Sequence, residues 1–168
     1  MADPNADRPL MPDGYGVPET TEGVLTWERV ERELIEAHHY WVVTNRPDGR
    51  PHVVPRWGVW ARDAFWYDGS PETVHVRNLK ADPRMVLHLE SGEHAVVLEG
   101  TARPSEPVGS YFGRQLSDGF AVKYAAKGYT PEPTAWSGPD AGGLVVFRPK
   151  KALAWFTFPS DVTRFRFD

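Results

Sequence analysis

Cysteine is missing from this 168-residue sequence. Its absence excludes a disulfide framework and metal sites built on thiolates. No apolar run approaches the roughly 20 residues that span a bilayer. The first residues also lack a basic start followed by an apolar segment, the pattern of a signal peptide. We therefore expect a cytoplasmic protein with no membrane partner.

Excess positive charge is also missing. The formal net charge is −4, whereas a protein that binds duplex nucleic acid usually carries a basic face. We therefore expect no nucleic-acid partner, although a local basic pocket for an anion stays compatible with this charge. The histidines show no close ligand spacing such as His-x-x-x-His, and His38 and His39 are adjacent, so they cannot both face one metal from a helix. No metal site is predicted.

What the sequence does contain is typical of one globular domain. Hydrophobic residues make up 40% and charged residues 25%. Seven tryptophans bring the aromatic content to 12%, which is high for a chain of this length. Many aromatic side chains suit a pleated β core or a flat ring-binding pocket, and composition does not choose between the two.

The chain opens with a segment that shows no periodicity. Residues 1–23 are rich in Pro, Gly and Asp, and we expect an extended arm that lies over a partner or a pocket; a frayed terminus is the alternative. Thr26 is then typical of a helix N-cap, and apolar residues recur at helical spacing up to Ala37.

A β-hairpin is predicted next. Residues 40–44 are rich in β-formers, a Pro-Asp-Gly turn follows, and residues 51–60 form the return strand. An imperfect helix, interrupted by Gly119, is predicted over 110–127, with Gly128 as its stop and a loop over 129–142. The other predicted strands are 64–67, 85–90, 95–102, 143–147, 152–158 and 163–167.

The stretch from Ser70 to Lys80 carries the strongest chemical pattern. We expect Ser70 to cap a short helix whose first residue is Pro71 and which stops near Ala81, before Asp82-Pro83. A helix N-terminus offers unpaired N–H groups and partial positive charge. Hydroxyls and potential cations stand beside it, so the segment suits a phosphate: these are Ser70, Thr73, His75, Arg77 and Lys80. The alternative is a short capped surface helix with solvated charges.

The order of these segments resembles a known superfamily. A Pro-Asp-Gly-Arg-Pro-His turn leads into Val-Val-Pro-x-Trp-Gly-Val-Trp, and then come Thr-x-x-x-Arg-Asn-Leu, Asp-Pro-Arg-x-Val-Leu and Val-Val-x-Glu-Gly-Thr-Ala. This series resembles the pyridoxamine 5′-phosphate oxidase-like split β-barrel superfamily. It is most similar to the flavin/deazaflavin oxidoreductase branch, whose members use coenzyme F-420 and sometimes FMN.

The resemblance implies a mainly β fold: a six-stranded antiparallel split β-barrel with short flanking helices, occupying residues 24–168. It implies a homodimer with two cofactor sites at the interface. Residues of the β-hairpin would line the cofactor ring, and residues of the following helix would hold its phosphate and tail: Val54, Pro55, Arg56 and Trp57 for the ring; Ser70, Thr73, His75, Arg77 and Asn78 for the phosphate.

One departure from the resemblance concerns the phosphate. Relatives often carry a Ser/Thr-Arg-Lys run at the helix start, where this chain has Thr73-Val74-His75. An apolar residue and a weak, titrating one replace two strong cations. Arg56, on the strand that faces the helix, is a candidate to compensate, and an exposed strand arginine is the equal alternative.

The implied reaction is hydride transfer from a reduced deazaflavin to a small, electron-poor organic acceptor. The cofactor supplies the reactivity and the protein supplies position and electrostatics. Trp57, Trp60 and Trp136 are candidates to wall an apolar substrate site, although tryptophan is more often a core residue. Tyr124, a histidine or solvent would supply a proton. The activity of the parent oxidase is not expected, since its substrate-binding residues have no counterparts here.

Three alternatives stay open. The first is an FMN-dependent oxidoreductase on the same barrel. The second is a binding protein that stores or carries F-420, FMN or haem without turnover, with four candidate axial ligands for haem: His52, His75, His88 and His94. The third is a structural relic with no ligand, which the lost basic pair favours.

Overall fold

The described chain forms one antiparallel sheet flanked by three α-helices. The computed structural model describes residues 3–167. The helices are α1 (Trp27–Glu36), α2 (Val74–Ala81) and α3 (Ser110–Tyr124). The strands are β1 (Asn5–Asp7), β2 (Tyr40–Asn45), β3 (Pro51–Arg56), β4 (Val59–Ala61), β5 (Ala64–Tyr67), β6 (Arg84–His88), β7 (Ala95–Pro104), β8 (Val145–Trp155) and β9 (Thr163–Arg166).

The sheet splits along β8. Its main path runs β1-β9-β8-β7-β6-β2-β3. One edge of β8 pairs with β5 through residues 145–147 and with β9 through residues 151–154. The β4–β5 hairpin therefore branches from β8. The chain passes directly from β3, at the end of the main path, into β4, at the end of this branch. This is the predicted split barrel, built within residues 3–167 from nine strands rather than six.

Two apolar clusters hold the fold together. The first fills the barrel, and at its centre the rings of Tyr40, Phe65 and Tyr67 stand in a row, with centroids 4.3 Å and 5.3 Å apart. The second lies between α3 and the β4–β5 hairpin, around Phe120 and Trp136.

Helix α1 and strand β6 follow the predicted periodicities. Thr26 occupies the N-cap position of α1, and Trp27, Val30 and Leu34 are buried on one face. In β6, Met85 and Leu87 are buried, whereas Val86 and His88 are half-buried. These two predictions are confirmed, with boundaries that differ by one or two residues.

The predicted return strand 51–60 is wrong because the chain bends at Trp57-Gly58 and separates β3 from β4. Gly58 permits the bend, since a Cβ there would collide with the Phe65 ring and the Trp66 carbonyl. The Tyr124 hydroxyl holds the bend: it accepts from the Gly58 N–H at 2.9 Å.

Three further predictions differ from the structure. Gly119 does not interrupt α3; it lies where a Cβ would approach Val59 Cγ1 to 2.8 Å, so it is a close-contact position inside a continuous helix. The helix ends at Tyr124 rather than at 127, although Gly128, with φ +81°, is the expected stop. Strands 143–147 and 152–158 form one strand, β8, because a bulge opposite Glu99/Gly100 accommodates Pro149 in the ladder.

The start of α2 is also later than predicted. Thr73, not Ser70, occupies the N-cap position, and Val74 begins the helix. Residues 70–73 form a separate turn in which the Thr73 N–H donates to the Ser70 carbonyl at 3.1 Å. Pro71 suits a turn as well as a helix start, so the sequence pattern placed the cap one turn too early.

The N-terminal arm lies along the edge of β9. Strand β1 pairs with β9, and Asp7 accepts hydrogen bonds from Arg164 and Arg166. Arg8 donates to three backbone carbonyls, including that of Val162 at 2.9 Å. A cavity of about 510 Å³ under the arm is lined mainly by half-buried and exposed arm residues. Within residues 3–167, no helix is long and apolar enough to cross a membrane.

Candidate functional site at the start of helix α2

The N-terminal turn of α2 packs against the barrel beside β3. Side chains of β3 alternate, so that His52, Val54 and Arg56 are half-buried while the intervening residues are exposed. The half-buried face of β3 therefore carries two basic side chains near the helix start. We call the group formed by Arg56, Tyr67, Thr73 and His75 the α2 junction.

Arg56 lies at the centre of the α2 junction. Its Nη2 donates to the Asp68 carbonyl at 2.6 Å, and its Cζ lies 5.6 Å from the centroid of the Tyr67 ring. Its Nε is buried and has no hydrogen-bond partner among residues 3–167. Gly69 leaves room for the guanidinium, since a Cβ there would lie 2.7 Å from Nη2.

Tyr67 ends β5 with its ring fully buried. Its hydroxyl is the other buried side-chain polar atom of residues 3–167 that has no hydrogen-bond partner. Burial raises the pKa of this phenol, against a smaller lowering by Arg56, so the hydroxyl keeps its proton. Buried polar atoms are rarely unpaired in proteins, and here the two that are unpaired belong to neighbouring side chains.

His75 lies in the first turn of α2, with 3% of its surface exposed. Burial, with Arg56 and His52 nearby, lowers its pKa to about 4. The imidazole is therefore neutral at pH 7, so His75 adds no positive charge to the helix start. Its Nε2 lies 3.4 Å from Thr73 Oγ1.

A cavity of about 280 Å³ opens beside Arg56. It is lined by Pro55, Arg56, Trp57, Asp68 and Tyr129. The Asp68 carboxylate accepts from the Tyr129 hydroxyl at 2.5 Å and from Trp136 Nε1 at 3.0 Å. A planar aromatic surface, a cation and a phenol thus face one space.

Trp57 forms the aromatic wall of this cavity and is held in place by stacking. Its ring stacks on that of Tyr124 at 4.8 Å with an interplanar angle of 9°. Lys127 Nζ lies 5.4 Å from the Trp57 ring. The wall is therefore fixed in orientation, which suits a flat ring as partner.

The predicted phosphate-binding residues differ in exposure and in their position along α2. Ser70 and Arg77 are exposed, and Thr73 is half-buried at the N-cap. Asn78 is buried, and its Nδ2 donates to Thr44 Oγ1 at 3.0 Å. Ser70, Thr73 and the backbone of the first helical turn lie at one end of α2, whereas Asn78 points to β2 and Arg77 lies one turn further along.

The predicted substrate residues are all buried. Trp60 is 4% exposed, and its Nε1 donates to Glu31 at 2.9 Å. Trp136 is 1% exposed and reaches the cavity only through Asp68. The Tyr124 hydroxyl contacts the backbone of Gly58 and the His38 carbonyl. Their substrate contacts stay predictions.

The candidate haem ligands lie on separate elements. His52 lies on β3 and His75 on α2, where His52 contributes to the lowered pKa of His75. His88 stacks on Trp41 at 6.3 Å, and His94 packs against Phe156 at 5.3 Å. Within residues 3–167 no three His, Asp or Glu side chains meet in a geometry that could hold a metal ion.

Three residues of the site were missed by sequence reasoning: Tyr67, Asp68 and Tyr129. Tyr67 follows the strand pattern of a core residue, and no local signal reveals an unpaired hydroxyl. Asp68 directly precedes Gly69 at the end of a strand, a position where polar groups gather at sites. Tyr129 directly follows the helix stop Gly128, but its partner is 61 residues away.

Comparisons with known proteins concern the family and the fold. The pyridoxamine 5′-phosphate oxidase family model matches residues 26–156. Among solved structures, an F-420 reductase is 22% identical, with a TM-score of 0.51, covering 84% of this chain and 98% of its own. No curated protein matches the chain.

Two other solved structures show the range of proteins on this fold. General stress protein 26 from Bacillus anthracis is 12% identical, with a TM-score of 0.59, covering 83% of this chain and 97% of its own. HutZ, a haem storage protein from Vibrio cholerae, is 15% identical, with a TM-score of 0.52 over 73% of this chain and 88% of its own. At these identities the likeness concerns the fold. Since the family match covers most of the sequence, the chain belongs to the pyridoxamine 5′-phosphate oxidase family.

Proposed function

We propose that this protein is an oxidoreductase that binds coenzyme F-420, with its phosphate at the start of α2 and its ring system against β3 and Trp57. FMN is the alternative cofactor on the same site. The observation that carries the proposal is the unpaired Arg56 Nε, a buried donor beside a helix N-terminus and beside a cavity walled by tryptophan.

The residues present fit a phosphate. Backbone N–H groups of the first turn of α2 point out of the helix start, and Ser70 and Thr73 place hydroxyls beside them. Arg56 supplies the strong cation that the first turn of the helix lacks, since His75 is neutral. Arg77, exposed on the next turn, would add a weaker, solvent-screened attraction. The Asp68 carboxylate, which would repel an anion, accepts hydrogen bonds from Tyr129 and Trp136.

When bound, a reduced deazaflavin supplies hydride transfer to an electron-poor acceptor, and a flavin supplies related chemistry. The β3 backbone and the Trp57 face would hold the ring in the cavity beside Arg56. Tyr129 lines that cavity, but its hydroxyl donates to Asp68, and burial together with Asp68 raises its pKa. The proton for the acceptor would therefore come from solvent.

We also propose a homodimer that covers β3. This strand ends the main path of the sheet and exposes an apolar surface at Pro51, Val53 and Pro55, with Val53 46% exposed. An exposed apolar edge strand favours association with another chain. Light scattering should give twice the chain mass, and Val53→Lys should lower it; a monomeric wild type contradicts this part of the proposal.

A titration tests the cofactor. Purified protein is titrated with F-420 and with FMN while tryptophan fluorescence is followed, because a ring bound near Trp57 should quench it. Micromolar or tighter binding of F-420 supports the proposal, and preference for FMN selects the alternative. Haem is titrated in the same way. Binding of haem alone, or of none of F-420, FMN and haem, contradicts the proposal. Reduced cofactor should then be oxidised by an electron-poor acceptor, and tight binding without turnover selects a carrier protein.

A further inference from the structure

The polar contacts of the cavity beside Arg56 converge on Asp68. The Asp68 backbone carbonyl accepts from Arg56 Nη2 at 2.6 Å. The Asp68 Oδ2 atom accepts from the Tyr129 hydroxyl at 2.5 Å and from Trp136 Nε1 at 3.0 Å. Asp68 therefore contacts two of the other four residues that line this cavity, Arg56 and Tyr129.

The two donors to the carboxylate stand at the two ends of one segment, residues 129–136, which follows α3 and Gly128. The rings of Tyr129 and Trp136 both pack on Phe120, with centroids 5.5 Å and 5.6 Å away. Within residues 3–167 the Tyr129 hydroxyl has no other hydrogen-bond partner. One carboxylate oxygen thus fastens both ends of the segment to the end of β5.

Tyr129 connects this fastening to the aromatic wall of the cavity. Its ring centroid lies 6.2 Å from that of Trp57, at an interplanar angle of 51°. Trp57 itself is held by its stack on Tyr124, so the part of the wall that depends on Asp68 is the Tyr129 ring. A Cβ on the preceding Gly128 would meet nothing within 4 Å. The chain is open there, and without its acceptor the Tyr129 ring would be free to turn into the cavity.

The charge of Asp68 and its hydrogen bonds have opposite consequences for an anionic ligand. A carboxylate beside the cavity repels an anion, whereas its oxygen holds the cavity in shape. An uncharged amide oxygen can accept the same two hydrogen bonds. Substitution can therefore separate the two effects.

We propose that Asp68 is a positioning residue of the cavity: by accepting from Tyr129 and Trp136 it fixes the Tyr129 ring beside Trp57 and keeps the space between Trp57 and Arg56 open to a flat ring. This inference rests on the proposed function for the identity of that ring. A cavity with its shape fixed before binding loses less conformational freedom when the ligand enters.

Two substitutions of Asp68 test the inference by calorimetric titration with F-420 or FMN, whichever the wild type binds more tightly. Asp68→Ala removes the charge and the acceptor, and should weaken binding about tenfold. Asp68→Asn removes the charge and keeps an oxygen acceptor, so its affinity should equal or exceed that of the wild type. Higher affinity in both variants would mean that Asp68 acts only by repulsion; that result, equal loss in both, or no loss in Asp68→Ala overturns the inference.

Tyr129→Phe and Asp140→Ala complete the set. Tyr129→Phe removes only the hydroxyl that Asp68 holds and should lower affinity about three- to tenfold; unchanged affinity overturns the inference even if Asp68→Ala fails to fold. The exposed Asp140 carboxylate accepts from the Gly142 N–H at 3.1 Å and does not line the cavity. Asp140→Ala should leave affinity unchanged, and a tenfold loss there would overturn the assignment to Asp68.

Amide hydrogen exchange separates this inference from the proposed function, because it needs no ligand. Exchange over residues 129–136 should be faster in Asp68→Ala than in the wild type and unchanged in Asp68→Asn. If the wild type binds neither cofactor, the proposed function fails, and this pattern still upholds the positioning role. Exchange that is equal in all three proteins, or faster in both variants, overturns it.

Discussion

Two polar regions of this protein contain the same kinds of residues but differ in whether their buried polar atoms are hydrogen-bonded. We call the first the α1 junction, formed by Ala37, His38, Tyr40, Lys123 and Tyr124. There the ammonium and both phenols have partners: Lys123 Nζ donates to the Ala37 carbonyl at 2.8 Å and to the Tyr40 hydroxyl at 2.7 Å. The Tyr124 hydroxyl donates to the His38 carbonyl at 2.9 Å.

The α2 junction differs in just this respect. Both unpaired buried side-chain atoms of residues 3–167 belong to it, on Arg56 and Tyr67. The two junctions are joined by one row of rings, Tyr40–Phe65–Tyr67. Paired groups stabilise the fold, whereas unpaired ones reduce stability and remain available to a ligand. The difference therefore separates a structural region from a candidate binding region.

The largest effect is expected at the α1 junction. Tyr124→Phe should lower the free energy of unfolding by about 3 kcal/mol, because it leaves buried backbone groups at Gly58 and His38 without their partner. Urea unfolding followed by circular dichroism measures the change. A loss below about 0.5 kcal/mol would contradict the structural role of the α1 junction, since a substitution of an ordinary surface residue has an effect of that size.

Arg56→Ala should have the largest effect on binding. It removes the buried cation of the α2 junction, and cofactor affinity should fall about 100-fold while stability changes little. Arg56→Lys keeps the charge without the planar group, so intermediate affinity is expected. Calorimetric titration measures all three proteins. Wild-type affinity in Arg56→Ala would contradict the account.

Arg77→Ala is the matched surface change. Arg77 is exposed, so its loss should weaken binding less than tenfold and more strongly at low salt than at high salt. Unchanged affinity at low salt would remove Arg77 from the predicted phosphate residues.

The pH dependence of stability tests the neutral state of His75. Its pKa is about 4 when folded and about 6.5 when unfolded. Between these values the unfolded chain binds a proton that the folded protein does not. Stability should therefore fall as the pH drops through this window, by about 2 kcal/mol between pH 7 and pH 5 from His75 alone.

His75→Gln is the control for that measurement. It removes the titrating ring and keeps a polar side chain, so its stability should fall less than that of the wild type over the same range. The carboxylates titrate in both proteins and cancel in the difference. Equal pH dependence would mean that His75 is charged, or exposed, in the folded protein.

An intermediate effect is expected at Gly69. An alanine Cβ would lie 2.7 Å from Arg56 Nη2 and push the end of that flexible side chain aside. Cofactor affinity should fall about tenfold, the equivalent of about 1.4 kcal/mol, and the melting temperature should also fall, because Gly69 has φ +159°, where an alanine is strained. Gly92→Ala, where a Cβ meets nothing within 4 Å, is the control. No difference in affinity between them would mean that Arg56 is not held in one position.

The sequence predicted the elements that depend on local periodicity. Helix α1, the hairpin and the alternation in β6 follow from spacing, and Arg56 was identified as a candidate. The break at Gly58, the continuity of α3 through Gly119 and the bulge at Pro149 depend on contacts between distant segments. The pairing of hydroxyls depends on them as well. Tyr40 and Tyr67 look alike in the sequence, and only the fold distinguishes the paired hydroxyl from the unpaired one.

A structure of the protein with F-420, or with FMN if that binds more tightly, tests the central claim most directly. The account predicts the phosphate at the start of α2, with an oxygen within hydrogen-bond distance of Arg56 Nε and the ring beside Trp57. A phosphate elsewhere, for example in the surface groove between Val43 and Lys151, would contradict it. So would a bound cofactor that leaves Arg56 Nε unpaired.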